Sequence, residues 1–186
     1  MNDDEERLLV IETTVRNALD LLYTLPCVRE RFQIAPQVRY PKTPNEISGP
    51  AAASHREKAI IIDPFDWLWT PSDRPDLPEA GEPQIHATWQ HFIAAHELRH
   101  LYDENHEIAR RNRKEAELDA DGFAGRLYGD LTKLLSDSLS SSPPPPPFKI
   151  VDLLLDLDED ETHPAGNLRA AAFQRAFEES TGLSLC

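Results

Sequence analysis

The chain has 186 residues, and its 33 acidic and 19 basic side chains give a formal net charge of −14 at pH 7. This length favours one domain and is sufficient to bury a core. The acidic excess argues against binding to nucleic-acid phosphates, because no surplus of basic side chains is available to displace counterions, and against binding to an anionic membrane surface.

Three features of the sequence predict a reduced, cytoplasmic setting. No run approaches the roughly 20 apolar residues that a membrane span needs. Residues 3–6 are all acidic, whereas a secretory signal begins with basic and then apolar residues. Only two cysteines occur, Cys27 and Cys186, which argues against a disulfide framework.

The first half of the chain predicts one helix and two strands. Residues 4–25 repeat apolar side chains at helical spacing, which predicts an amphipathic helix ended by Pro26. A loose alternation predicts a short strand within residues 32–40. The β-branched run at residues 58–63 is the clearest predicted strand, and two interpretations of it stay open: pairing with an extended peptide, or complete burial. Residues 70–83 carry four prolines and predict an exposed loop.

The second half is dominated by helical periodicity in two long segments, residues 85–102 and 113–139. Residues 140–147 form a Ser/Pro-rich spacer, for which a surface connector is expected. Residues 150–157 fit either a short strand or a helical turn, and a closing helix is predicted over 165–179. We expect one domain over residues 1–186, composed of an N-terminal helix with a small sheet (1–83), two motif-bearing helices (84–139), the spacer (140–147) and a C-terminal helical segment (148–186).

The first of the two long predicted helices carries the motif H-E-x-x-H at residues 96–100. Positions i and i+4 of a helix lie on one face, so His96 and His100 are able to bind a single metal ion. Glu97 points in a neighbouring direction, where it is able to activate a water molecule on that ion. Metal-assisted peptide hydrolysis needs this arrangement.

The third ligand decides the class of metal site. His106 completes a pattern close to that of the metzincins, but Asp103 stands at the glycine position of that pattern, and the only methionine is the first residue, which excludes a methionine turn. Glu117 is the better candidate. It continues the apolar stripe of the second long helix, where a carboxylate is costly unless it is paired or bound to a metal. Asp119 and Asp121, on the same helix, remain alternatives.

Two further motifs resemble those of gluzincin zinc metallopeptidases, in particular the CAAX prenyl proteases and their soluble minigluzincin relatives. E-x-x-A-D at residues 117–121 is similar to the third-ligand signature of that family, and T-H-P-x-x-x-x-R at residues 162–169 is similar to the segment that follows its zinc helices. The chain departs from the family pattern at Arg99, where glycine is common, and at Asp119, which takes the place of a glutamate.

The resemblance implies a zincin-like metallopeptidase domain of the α+β class, with two zinc-bearing helices, a small β-sheet and flanking helices. It also implies a role for each motif residue. Zn²⁺ would be held by His96, His100 and Glu117, and Asp121 would brace a ligand histidine. Glu97 would be the general base, His163 (with Tyr102 as an alternative) would steady the oxyanion, and Arg169 would pair with an acid near the site. Helix capping by Thr162, with Pro164 in the first turn, explains the third motif without a catalytic role.

The predicted function is therefore zinc-dependent hydrolysis of a peptide or protein substrate, with no nucleic-acid or membrane partner. The alternative is a catalytically silent or regulatory zinc-bound interaction protein on the same scaffold. A fourth protein ligand, such as His106 or Asp121, would favour this alternative, whereas an open fourth position facing Glu97 would favour the enzyme. In a third interpretation no metal binds, and His96 and His100 are bonded only to protein groups.

Overall fold

The computed structural model describes residues 3–43, 45–63, 83–138 and 148–182. Over these ranges the chain forms α1 (Asp3–Leu22), α2 (Pro26–Arg31), β1 (Gln37–Arg39), β2 (Ala51–Ser54), β3 (Ala59–Ile62), α3 (Pro83–His100), α4 (Asp103–Arg111), α5 (Arg113–Ser138), α6 (Phe148–Leu155) and α7 (Gly166–Thr181). The expected mixed α+β class is confirmed, with helices dominating a small sheet. Within the described ranges, no helix combines the length and the apolarity that a bilayer span requires.

The sheet has three strands in the order β1-β3-β2. β3 pairs in parallel with β1 on one side and antiparallel with β2 on the other, and all four of its residues are buried. Of the two interpretations of residues 58–63, complete burial is therefore correct, because both edges of this strand are already paired. The edge strand β2 was not predicted, since a run of alanines between a proline and a serine has little β-propensity.

Helices α3 and α5 lie in the core. α3 packs against α1, α5 and the sheet, and α5 also packs against α4 and α7. Every residue of α3 from 92 to 99 is buried. One hydrophobic cluster joins side chains of α1, α2, the sheet, α3, α5, α6 and α7, and its fully buried members include Leu22, Ile60, Leu98, Leu127 and Phe173. Burial of this apolar surface holds the two motif-bearing helices from several directions.

Two elements of the first half differ from the prediction. α1 ends at Leu22, and Pro26 is the first residue of α2 instead of the residue that stops a longer helix. Proline suits the first helical position because it has no N–H group to satisfy there. The strand predicted within residues 32–40 is the three-residue β1. The predicted loop at 70–83 lies outside the described residues except for Pro83, which begins α3, and the spacer at 140–147 lies wholly outside them.

The second half contains one helix that the sequence pattern did not predict. α4 has acidic Asp103 and Glu104 in its first turn and basic residues in its last, which complements the helix dipole. Residues 150–157, for which strand and helix were both open, lie largely in α6. The predicted closing helix is α7, and it ends at Gly182, whose φ of 72° is a left-handed conformation that glycine adopts without strain.

Candidate metal centre

The structure brings the imidazoles of His96 and His100, on α3, against the carboxylate of Glu117, on α5. The two Nε2 atoms are 3.0 Å apart. Glu117 places one oxygen 3.2 Å from Nε2 of His96 and the other 3.3 Å from Nε2 of His100. Zinc in a tetrahedral site, with bonds of about 2.0–2.1 Å, separates its ligand atoms by about 3.3 Å. The group could therefore hold a metal ion, and it is the only such group among the described residues.

Hydrogen bonds on the other side of each imidazole orient both ligand histidines. Nδ1 of His96 donates to Oδ1 of Asp121 at 2.9 Å, and Nδ1 of His100 donates to Oδ1 of Asn105 at 2.7 Å. Asn105 is oriented in turn, because its amide nitrogen donates to the carbonyl of Ala116 and to Asp119. With the proton on Nδ1, each neutral imidazole directs the lone pair of Nε2 towards the other imidazole.

Two lone pairs and a carboxylate at this separation repel one another unless a cation lies between them. Burial on its own lowers the pKa of His96, but Asp121 and Glu117 more than offset this effect and raise that pKa to about 10. Burial on its own raises the pKa of Glu117, but the imidazoles of His100 and His96 beside the carboxylate hold that pKa far below the usual range. The cluster thus favours positive charge, which either a proton or a metal ion is able to supply.

Asp121 is fully buried, and its carboxylate accepts hydrogen bonds from Arg169 and from His96. The guanidinium of Arg169 donates from Nε to Oδ2 at 2.8 Å and from Nη2 to Oδ1 at 2.9 Å, while His96 donates to Oδ1. Although burial raises the pKa of Asp121, Arg169 and His96 lower it more strongly. Arg169 also lies 3.8 Å from Glu117. The structure therefore places Asp121 against a ligand histidine and Arg169 against acids of the site.

A cavity of about 640 Å³ opens onto the cluster. Its wall includes His96, Glu97, His100, Glu117 and His163, together with residues 48–53. Glu97 is buried. Its carboxylate has no hydrogen-bond partner among the described side chains. Glu97 therefore lies on the wall of the same cavity as the candidate metal site.

His163 also lines this cavity, and it lies on the segment between α6 and α7. Its Nδ1 donates to Oδ2 of Asp160 at 2.8 Å. The capping explanation of this motif is wrong, because α7 begins at Gly166 with Ala165 as N-cap and no side-chain cap. The hydroxyl of Thr162 donates to Asp160 instead, at 2.9 Å. Asp160 therefore orients the loop that presents His163.

The alternative ligands are engaged elsewhere. The ring of His106 stacks on that of His55, with centroids 4.4 Å apart, and it is not part of the metal group although it lines the cavity. Asp119 binds Arg99 at 2.7 Å. Tyr102 was the alternative to His163 as the group that steadies the oxyanion. Its ring packs against Phe32, and Tyr102 does not line the cavity.

Sequence reasoning missed Asn105, which is fully buried. A signal for it was present: on α4, Asn105 lies in helical register with Leu101 and Ile108, and an amide on an otherwise apolar stripe requires a buried partner. The contact between Arg99 and Asp119 was also missed, although both positions had been noted as departures from the gluzincin pattern.

Comparison with known proteins adds no identification: no protein-family model, no curated protein and no solved structure matches the chain. The similarity to gluzincins therefore depends on the three motifs and on the geometry in which their residues lie.

Proposed function

We propose that the protein is a zinc-dependent metallopeptidase of the gluzincin type, on a zincin-like fold. The observation that carries this proposal is the convergence of two Nε2 lone pairs and a carboxylate, at 3.0–3.3 Å from one another, on the wall of a cavity. Two histidines and one glutamate are the ligand set of zinc peptidases such as thermolysin. The ligands are His96, His100 and Glu117.

Zinc, when bound, lowers the pKa of water and polarises the scissile carbonyl. Glu97 takes the proton of the attacking water and passes it to the leaving amine. Glu97 follows His96 directly on α3, so its carboxylate reaches the same cavity from an adjacent helical position. His163, oriented by Asp160, steadies the negative charge that develops on the carbonyl oxygen.

The edge strand β2 supplies a binding surface for an extended peptide. Residues 51–53 are alanines on the cavity wall, and within the described part of the chain β2 is paired with β3 on one side only. Small side chains leave the backbone of an edge strand accessible, and main-chain pairing binds a peptide without selecting its side chains. The strand that accepts a peptide is therefore β2 and not β3, because both edges of β3 are already paired.

Two observations support the enzyme over a regulatory zinc-bound interaction protein. Among the described residues, the metal group contains three protein ligands and no fourth. Asp121 and His106, which could have supplied a fourth, contact Arg169 and His55 instead. A tetrahedral ion held by three protein ligands keeps one position for water.

Metal content and peptide cleavage test the proposal together. We expect about one zinc per wild-type chain by elemental analysis, and sharply less in E117A. With a peptide library analysed by mass spectrometry, the zinc-loaded wild type should cleave bonds that E97Q, equally loaded, leaves intact. E107Q, a change at an exposed glutamate of α4, is the matched control and should cleave as the wild type does. Absence of zinc from the wild type, or cleavage by E97Q at the wild-type rate, would contradict the proposal.

A further inference from the structure

A second chain of hydrogen bonds reaches the metal centre from α4 and from the outer side of α5. His100 donates from Nδ1 to Asn105, whose amide nitrogen donates to Oδ2 of Asp119 at 2.7 Å. Oδ2 of Asp119 also accepts from Nε of Arg99 at 2.7 Å. The chain of contacts thus runs from His100 through Asn105 and Asp119 to Arg99, and we call it the His100 relay.

Each member of the His100 relay has a defined orientation. Asn105 is fully buried, and its amide group is fully used, since the nitrogen donates to Asp119 and to the carbonyl of Ala116 while the oxygen accepts from His100. A rotation of this amide by 180° would place two donors against each other at His100 and two acceptors against each other at Asp119. The network therefore permits one amide orientation and one tautomer of His100.

Arg99 anchors the outer end of the relay. It is a buried residue, and its guanidinium lies 5.0 Å from the ring centroid of Tyr102 and 5.8 Å from that of Phe123. Aromatic faces at this distance attract a guanidinium and restrict its rotation. A guanidinium held in this place keeps the carboxylate of Asp119 turned towards Asn105. The side chain of Asp119 is one-third exposed, so it tolerates substitution better than Asn105 does.

The two ligand histidines consequently have different supports. His96 donates directly to a buried carboxylate, Asp121, which Arg169 neutralises. His100 donates to a neutral amide, and the corresponding acid–arginine pair, Asp119 with Arg99, lies one residue further away. An acceptor on Nδ1 raises the basicity of the imidazole and fixes the direction of Nε2, and loss of such a partner typically weakens metal binding about 10–100-fold.

We infer that Asn105, Asp119 and Arg99 are positioning residues for the metal centre: they hold His100 in the tautomer and orientation that direct Nε2 at the ion. This inference rests on the metal-binding part of the proposed function. It gives a role to α4, the helix between the two motif-bearing helices. It also gives a role to Arg99 and Asp119, the two residues that differ from the gluzincin pattern.

The test measures metal affinity and site geometry in the full chain. Zn²⁺ affinity is determined by competition with a chromogenic chelator, and Co²⁺ is used as a spectroscopic probe, since its visible absorption distinguishes tetrahedral from six-coordinate sites. N105L replaces the amide by an apolar group of similar size, and we expect its Zn²⁺ affinity to fall about 10–100-fold, with a changed Co²⁺ spectrum. D119A should also lose affinity, whereas D119N, which retains an acceptor oxygen for both donors, should remain close to the wild type.

The variant L131A is the control that distinguishes a general loss of stability from a loss of His100 positioning. Leu131 is a buried residue of α5 that is not part of the His100 relay and does not line the cavity. Its truncation should lower stability without changing the metal affinity. If N105L does not fold, the comparison of D119N with D119A still decides the question. Wild-type affinity in N105L, or equal losses in D119N and D119A, would overturn the relay while leaving the metal site intact. A wild type that binds neither Zn²⁺ nor Co²⁺ would overturn both the relay and the proposed function.

Discussion

At the scale of single residues, the centre is built from buried charges that compensate one another. A carboxylate as fully buried as that of Asp121 is costly in isolation. Two hydrogen bonds from Arg169 and one from His96 offset this cost. Buried pairs of this kind add little net stability, but removal of one partner leaves the other uncompensated. Their main contribution is orientation, because a charged acceptor fixes both the tautomer and the direction of the ligand histidine.

We therefore expect D121N to weaken metal binding and also to lower stability, because Arg169 loses its buried counter-charge. An amide has no net charge to support the Nδ1 proton of His96, so the Zn²⁺ affinity should fall about 10–100-fold in a chelator competition. D130N is the matched control, since Asp130 on α5 accepts from Ser180 and does not line the cavity. Equal affinities of D121N and the wild type would contradict the assigned role of Asp121.

At the scale of elements, the close approach of α5 and α7 allows the side chain of Arg169 to contact Asp121. A Cβ atom at Gly125 would lie 2.1 Å from the carbonyl oxygen of Phe173, whereas one at Gly122 would have its nearest neighbour at 3.8 Å. Gly125 is one turn beyond Asp121, and Phe173 is one turn beyond Arg169. The absence of a side chain at Gly125 therefore allows the two helices to pack at the distance that the ion pair needs.

G125A should consequently separate the two helices. Overpacking of this kind typically costs about 1–3 kcal/mol, which urea denaturation measures, and the Zn²⁺ affinity should fall as Arg169 is displaced. G122A serves as the control, because its Cβ would make only an ordinary van der Waals contact and alanine within a helix is more stable than glycine by about 0.5–1 kcal/mol. A G125A variant as stable as G122A would show that the helices do not need this close approach.

A second prediction at this scale concerns the segment between β1 and β2. Hydrogen bonds from Arg39 and from the backbone N–H of Lys42 lower the pKa of Glu46 to about 2. Because the folded-state pKa lies below the unfolded one, the stabilisation is fully present above about pH 4.5 and is lost as the pH falls towards 2. The free energy of unfolding of E46Q should thus differ from that of the wild type at pH 6 and converge with it near pH 2, in urea denaturation. A difference between E46Q and wild type that is independent of pH would contradict the assignment.

At the scale of the whole molecule, the metal centre joins elements that are distant in the chain. The three residues that could hold an ion come from α3 and α5, and the groups that orient their side chains come from α4, α5 and α7. Helices α3, α5 and α7 share one hydrophobic cluster with the sheet and with α1, and α4 packs against α5. An ion that binds only this folded arrangement must stabilise the entire cluster by mass action.

Removal of the metal should therefore lower the thermal midpoint of the whole chain. A ligand at 100 times its Kd stabilises by about 2.7 kcal/mol, and in a protein of this size each kcal/mol shifts the midpoint by about 2–4 °C. We expect calorimetry to show a midpoint about 5–10 °C higher with zinc than after chelation. H96A is the control, and its midpoint should not respond to zinc. An identical midpoint for the wild type with and without zinc would contradict a site that is coupled to the fold.

The sequence by itself determined which side chains share one face of a helix, because helical geometry places residues four positions apart on the same face. The spacing of His96 and His100 places both imidazoles on one face of α3, and the spacing of Glu117 and Asp121 places both carboxylates on one stripe of α5. The β-branched run predicted the central strand because such side chains favour an extended backbone. These features are local, so a pattern of residue types is enough to predict them.

Only the tertiary structure decided which groups meet across the chain. Arg169 contacts Asp121 over 48 positions, and Asn105 contacts Asp119 over 14. It also decided that β3 is central and β2 is the edge strand. Such contacts depend on where helices cross and on which strand edges remain unpaired, and these follow from the summed packing of the whole core. No short-range pattern encodes that sum. For this reason the grouping of His96, His100 and Glu117 could be predicted from the sequence, while most of the network that orients these side chains could not.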